Sequence, residues 1–114
     1  MTIEIINGKT DGFIGEDKIY IGRKNSRYGV EASPLANVFS IKSEKQRDSS
    51  IENYTGYLFQ QYASGQGPVY EELMRLATLH KQGVYIKLAC WCAPKACHGD
   101  VIKKIVYWIA ENVL

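Results

Sequence analysis

A change of period marks the last third of the chain. From Val84 to Cys92 the side chains alternate, with Val84, Ile86, Leu88, Cys90 and Cys92 on one face and Tyr85, Lys87, Ala89 and Trp91 on the other. That is the two-residue repeat of a strand. Past Pro94 the apolar positions become Val101, Ile102, Ile105, Val106, Ile109 and Val113, with Lys103, Lys104, Tyr107 and Glu111 opposite. Their spacing, about 3.6 residues, predicts an amphipathic helix. A strand, a short loop and a helix make half of a βαβ unit, and open α/β sheets take ligands beyond the carboxyl ends of strands, beside helix starts.

Upstream, Thr2 to Ile6 is rich in β-branched residues and is followed by the turn signal Asn7-Gly8, and Lys18 to Gly22 repeats the pattern. Two more strands are expected there, as a hairpin or as neighbours in a sheet. Ser49 with Glu52 forms a capping box, which predicts a helix from about Ser50 to Ala63 with Ile51, Tyr54, Leu58 and Tyr62 inward. Ser64-Gly-Gln-Gly67 breaks that helix. Pro68 suits the first position of the next, whose buried side is Val69, Leu73, Leu76 and His80 and whose end is Gly83. Between Arg23 and Asp48 the chain is irregular, with a short apolar stretch from Val38 to Ile41, and such segments in compact domains tend to carry function. The expectation is one α/β domain over residues 1–114, a mixed or parallel sheet of about three strands with about three helices, Rossmann-like in its local strand-loop-helix geometry.

Length and composition narrow this picture. A chain of 114 residues can bury one core and not two, and 46% hydrophobic against 23% charged residues is the balance of a folded protein. The net charge of +2 is too small to draw a polyanion by bulk attraction. Lys42, Lys45, Arg47 and the eight tyrosines are the cues for nucleic acid, but most of the tyrosines fall at core or half-buried positions, so no strong nucleic-acid binding is expected. Met1 to Asn7 lacks a basic leader with an apolar core, and no stretch approaches the roughly 18 apolar residues of a membrane span. A cytoplasmic protein without a membrane partner is expected. Three cysteines within eight positions are not the pattern of a secreted disulfide scaffold, so reduced thiols are the default.

The candidate chemistry lies in Cys90-Trp-Cys-Ala-Pro-Lys-Ala-Cys-His-Gly-Asp100. Cys97 falls at the start of the last helix, where unpaired amides and the helix dipole favour a thiolate. His98 beside it can shuttle a proton, and Asp100 completes the candidate catalytic set, although it also simply complements the dipole. Lys95 can pair with a thiolate or with an anionic substrate. The structural alternative makes Cys90 and Cys92 small core residues and Cys97 a weak cap. Zinc is a third reading, since the three cysteines and His98 could supply four ligands. Same-face residues two apart on a strand lie about 6 to 7 Å apart, and Cys97 and His98 diverge on a helix, so neither a metal nor a cofactor is expected. A disulfide from Cys97 to either strand cysteine could act as a redox pair across the Pro94 loop, without Cys-x-x-Cys spacing.

Tyr20-Ile-Gly-Arg23, Ser33-Pro-Leu-Ala-Asn37 with Phe39, Arg47 ahead of Ile51 and Tyr54, and above all Leu88-Ala-Cys-Trp-Cys-Ala-Pro with Cys97-His-Gly-Asp-Val101 resemble a family of small bacterial and phage domains catalogued only as a domain of unknown function. The resemblance covers most of the chain from Lys18 onward, and it implies host cytoplasm if the chain is phage-encoded. It places Arg23, Ser33, Asn37, Cys90, Cys92, Cys97, His98 and Asp100 at motif positions, which implies a shared pocket between the Arg23 to Arg47 segment and the Cys97 helix start. Ala36-Asn37-Val38-Phe39 departs from the family's Gly-Asn-Pro-Phe. A fainter similarity, to a family ending in Cys-His-Arg, implies a nucleotide-like or other phosphorylated ligand. On this reading Arg23, Ser33, Asn37, Arg47, Cys92 and Lys95 would contact an anionic small molecule, with Arg23 gripping phosphate in a bidentate way and Cys97 and His98 available for chemistry. The competing reading is a non-catalytic, phage-encoded interaction protein with structural cysteines.

Overall fold

The computed structural model describes residues 2–39, 43–93 and 95–114. Ile41, Lys42 and Pro94, used in the sequence reading, lie outside the described residues. The elements are β1 (Ile3–Asn7), a one-turn helix α1 (Gly8–Asp11), β2 (Lys18–Tyr20), α2 (Arg47–Ala63), α3 (Pro68–Lys81), β3 (Ile86–Cys90) and α4 (His98–Asn112), with short 3-10 turns at Ser26–Tyr28 and Glu44–Gln46.

The sheet has three strands in the order β1-β3-β2, and β3 is parallel to both neighbours, with Leu88 paired to Ile5 on one side and Ile19 on the other. The strand with the longest apolar run takes the centre, where both faces are covered. β1 and β2 are therefore neither a hairpin nor neighbours, because β3 lies between them. The strand expected over Val84 to Cys92 pairs only from Ile86 to Cys90, and Val84 and Tyr85 are exposed because the ladder with β1 begins at Ile3.

Two apolar clusters sandwich the sheet. One face carries Ile3, Ile21, Ile86, Leu88 and Cys90 against Tyr54 and Leu58 of α2, Leu73 and Leu76 of α3, and Ile102, Val106 and Ile109 of α4. The other carries Ile6 and Ala89 beneath Phe13, Val30, Tyr20 and Trp91. Asn7 caps α1 by accepting from the Lys9 amide, so the Asn7-Gly8 signal starts a helical turn. Gly8 is required there, because a Cβ would stand 2.0 Å from the Phe13 ring.

Pro68 occupies the first turn of α3, as its missing amide allows. The start expected for α2 does not hold. The Glu44–Gln46 turn runs straight into the helix, which begins at Arg47, and its cap, Gln46, makes no side-chain capping bond. Ser49 is exposed inside the helix, whereas Ser50 is buried and joins α2 to the preceding loop, donating to the Phe39 carbonyl and accepting from Asn37 Nδ2. On α4 the apolar stripe stops at Ala110, and Val113 is exposed.

Candidate functional site

Three segments meet beyond the carboxyl ends of β2 and β3. After β2 the chain stays on the sheet for one more residue, the Ile21 amide donating to the Ala89 carbonyl at 3.1 Å. It then bends over Gly22, where a Cβ would meet the Tyr20 hydroxyl at 2.5 Å. Tyr20 accepts from Trp91 Nε1 at 2.9 Å and donates to the Arg23 carbonyl, so the end of β3 fixes the turn after β2. The start of α4 closes the third side, and a cleft of about 370 Å³ lies between them.

Arg23, Asn37, Cys92, Cys97 and His98 all line this cleft, together with Lys24. Arg23 gives Nε and Nη2 to the Asn37 carbonyl at 3.1 and 2.9 Å, which places its charge on the rim. That edge of the guanidinium, expected to grip phosphate, is used on the protein itself. The Asn37 side chain is also engaged: Oδ1 accepts from the Phe39 amide at 2.8 Å and Nδ2 donates to Ser50 at 3.0 Å. Ser33 holds its own turn by accepting from the Leu35 amide at 3.0 Å.

His98 is held from below. Its Nε2 lies 2.7 Å from the Ile21 carbonyl, which can only accept, so Nε2 carries the proton and Nδ1 is the basic nitrogen of the neutral ring. The edge of the ring meets Tyr54, with centroids 5.2 Å apart. Burial lowers the His98 pKa; the Ile21 hydrogen bond opposes this, the Arg23 charge adds to it, and Asp100 acts the other way.

Cys97 caps α4. Its sulfur accepts from the Gly99 amide at 3.3 Å, and the Asp100 carboxylate accepts from the Cys97 amide at 3.1 Å, completing a capping box. The surroundings of Cys97 work against the thiolate expected there, although the Gly99 amide favours it. Cys97 Sγ stands 3.5 Å from Cys90 Sγ and both residues are buried, so the hydrogen bond between them together with burial pushes the Cys97 thiol up. Cys90 is drawn down, first by its hydrogen bond with Cys97 and then by the Cys92 and Ala93 amides, with burial working against them. The two thiols titrate as a coupled pair, and the amides around Cys90 favour the charged form there.

Lys95 and Asp100 stand apart from the cleft, while Arg47 reaches its lining only through a hydrogen bond with Cys92. Arg47 donates from Nε and Nη2 to Glu44 at 3.0 and 2.9 Å and from Nη1 to the Ala96 carbonyl at 2.8 Å, tying the start of α2 to the segment before α4. Glu44 also pairs with Lys95 at 3.2 Å, and the Arg47 and Lys95 contacts hold its carboxyl down to about 2. Asp100 and Lys95 border a different hollow, with Glu4, Tyr85 and Lys103. Among the described residues, no group of three or more His, Cys, Asp or Glu is placed to hold a metal ion. No helix among them is long and apolar enough to cross a membrane.

Sequence reasoning passed over Tyr20, Lys24 and Trp91 as site residues. Strand alternation put Trp91 on the face away from the cysteines, which is correct, but beyond Cys90 the strand has ended and the ring reaches the cleft edge. Its place between two motif cysteines was the available signal.

The family model described as Domain of unknown function (DUF4326) matches residues 6–108, from within β1 to within α4. No curated protein and no solved structure matches the chain.

Proposed function

We propose that this chain, which belongs to the DUF4326 family of domains of unknown function, binds an anionic small molecule, nucleotide-derived or otherwise phosphorylated, beyond the carboxyl ends of β2 and β3. One observation carries this reading: Arg23, Lys24, Cys92 and His98 come from two strand ends and one helix start and converge on a single cleft. Arg23 and Lys24 give one rim positive charge, and the Tyr20 and Trp91 rings offer a wall for a flat group. Parallel α/β sheets receive ligands at this edge because strand ends and a helix start leave polar backbone groups facing the crevice. His98 is the residue to move a proton, through Nδ1, if the ligand reacts. Cys92 is the accessible thiol beside it, while Cys97 and Asp100 hold the helix start in place.

A melting-temperature survey tests this reading, using nucleoside mono-, di- and triphosphates, the uncharged nucleosides and inorganic phosphate. Phosphorylated members raise the melting temperature, nucleosides do not, and the effect shrinks with added salt because exposed charges are screened. Arg23→Ala and Lys24→Ala each weaken binding about tenfold, as the loss of a charge-assisted contact worth roughly 1.5 kcal/mol requires. A survey in which no anion shifts the transition, or in which a double Arg23→Ala, Lys24→Ala variant responds like the native chain, defeats the proposal.

A second reading, a non-catalytic interaction protein with structural cysteines, draws on a separate observation. Phe59 and Trp108 are 56% and 51% exposed beside a groove of about 710 Å³ between α2 and α4. That protein would leave the whole ligand survey blank.

A further inference from the structure

We propose that Cys90 and Cys97 form a redox-active dithiol, which hydroperoxides convert into an intramolecular disulfide. The inference does not depend on the ligand proposed above and is tested without one.

The pair is built by tertiary structure. Cys90 is the last residue of β3 and Cys97 the cap of α4, and the fold brings their sulfurs to 3.5 Å in the main core. A disulfide needs about 2.05 Å, so closure asks the sulfurs to approach by about 1.5 Å, within the range of side-chain rotation. Cys97 is 1% exposed and lines both the cleft and the groove between α2 and α4, whereas Cys90 lines neither, so a small oxidant entering from either side meets Cys97 first, with Cys90 packed behind. Cys92, half-buried at the same cleft, is the odd thiol out.

The contacts around the sulfurs supply the proton path. The two sulfurs share a hydrogen bond in which either can donate, and the Cys92 and Ala93 amides also donate to Cys90, so Cys90 can take the Cys97 proton as Cys97 reacts. Cys97 Sγ attacks the terminal oxygen of the hydroperoxide, the O–O bond breaks, and the alcohol or water fragment leaves with a proton from solvent. Cys97 is then a sulfenic acid, and Cys90 is a neutral thiol once the displaced proton is counted. Cys90 Sγ next attacks Cys97 Sγ, the S–O bond breaks and the S–S bond forms. The departing hydroxide takes the Cys90 thiol proton and leaves as water. Two electrons pass from the two sulfurs to the peroxide, and two thiols plus one hydroperoxide give one disulfide, one alcohol or water, and one water. The product ties the end of β3 to the start of α4, bracketing the segment that carries Trp91 and Cys92.

The test uses the full chain carrying Cys92→Ser, which leaves the two sulfurs of the pair as the only ones from cysteine. It is treated with a small excess of hydrogen peroxide, denatured, alkylated and weighed intact. The expected product has lost two hydrogens, takes up no alkylating reagent, runs as a monomer, and regains both thiols under a reductant. Trypsin then leaves peptides 88–95 and 96–103 joined until reduction. The proposal is overturned if both thiols still alkylate, if oxidation proceeds to sulfinic acid without a cross-link, or if the bond is intermolecular. Should Cys92→Ser fail to fold, fragmentation of the cross-linked native peptides decides the same point: a bond through Cys90 supports the pair and one through Cys92 refutes it.

Discussion

The Ile21 carbonyl accepts from His98 across 77 positions of sequence, and burial of the ring lowers its pKa from the ordinary 6.5. The unfolded chain therefore takes up a proton before the folded one, so the stability contributed by the neutral ring is complete above pH 6.5 and is lost as the pH falls below it. His98→Gln keeps an N–H for Ile21 and removes the titration. Its melting temperature is expected to vary less than that of the native chain between about pH 5 and 7, where an ordinary histidine changes charge. Glu44, held down to about 2, loses its contribution at lower pH in both proteins. Superimposable pH profiles would show that His98 is not the group responsible. The sequence singled out both His98 and Cys97 because they sit together at a helix start. It could not show that Ile21 fixes the tautomer, or that Cys90 stands against Cys97 and pushes its thiol up, since both partners arrive through tertiary packing.

The start of α2 separates two explanations at the level of the element. Ser49 and Glu52 have the spacing of a capping box, and a capping serine costs typically about 1 kcal/mol when replaced by alanine. In the structure Ser49 is exposed within the helix and Ser50 carries the contacts, joining the Phe39 carbonyl and Asn37 to α2. Ser50→Ala is therefore expected to cost about 1 to 3 kcal/mol in urea unfolding, because it leaves buried polar groups without their partner. Ser49→Ala should stay within about 0.5 kcal/mol, as exposed substitutions do. The reverse order would restore the capping box as the true helix start. Helix bodies were legible because their apolar spacing is local: Tyr54 and Leu58, Leu73 and Leu76, and Ile102, Ile105, Val106 and Ile109 are buried as that spacing requires. The boundary of α2 was not, because the Glu44–Gln46 turn and Arg47 bonded to Glu44 extend the helix upstream without a recognisable cap.

For the whole molecule, the alternation of β3 and the stripe of α4 made the α/β class and the position of the cleft readable, since a strand leading through a short loop into a helix places the intervening residues at the carboxyl edge of the sheet. Strand order was not readable. The placement of β3 between β1 and β2 follows from covering its two apolar faces at once, with Leu88 and Cys90 under the helices and Ala89 under Phe13 and Trp91. The same arrangement explains why Lys95 and Asp100 stand outside the cleft and why Arg47 touches it only through Cys92: they brace the start of α2 and of α4 from its other sides. The central claim, an anion site at the edge of β2 and β3, is tested most directly by titrating the isotopically labelled full chain with adenosine 5′-monophosphate and with inorganic phosphate while following each backbone amide by nuclear magnetic resonance. The account predicts saturable shifts centred on Gly22, Lys24, Cys92 and His98, where strand ends and helix start converge. Shifts centred on Phe59 and Trp108, or scattered over the surface without saturation, would contradict it.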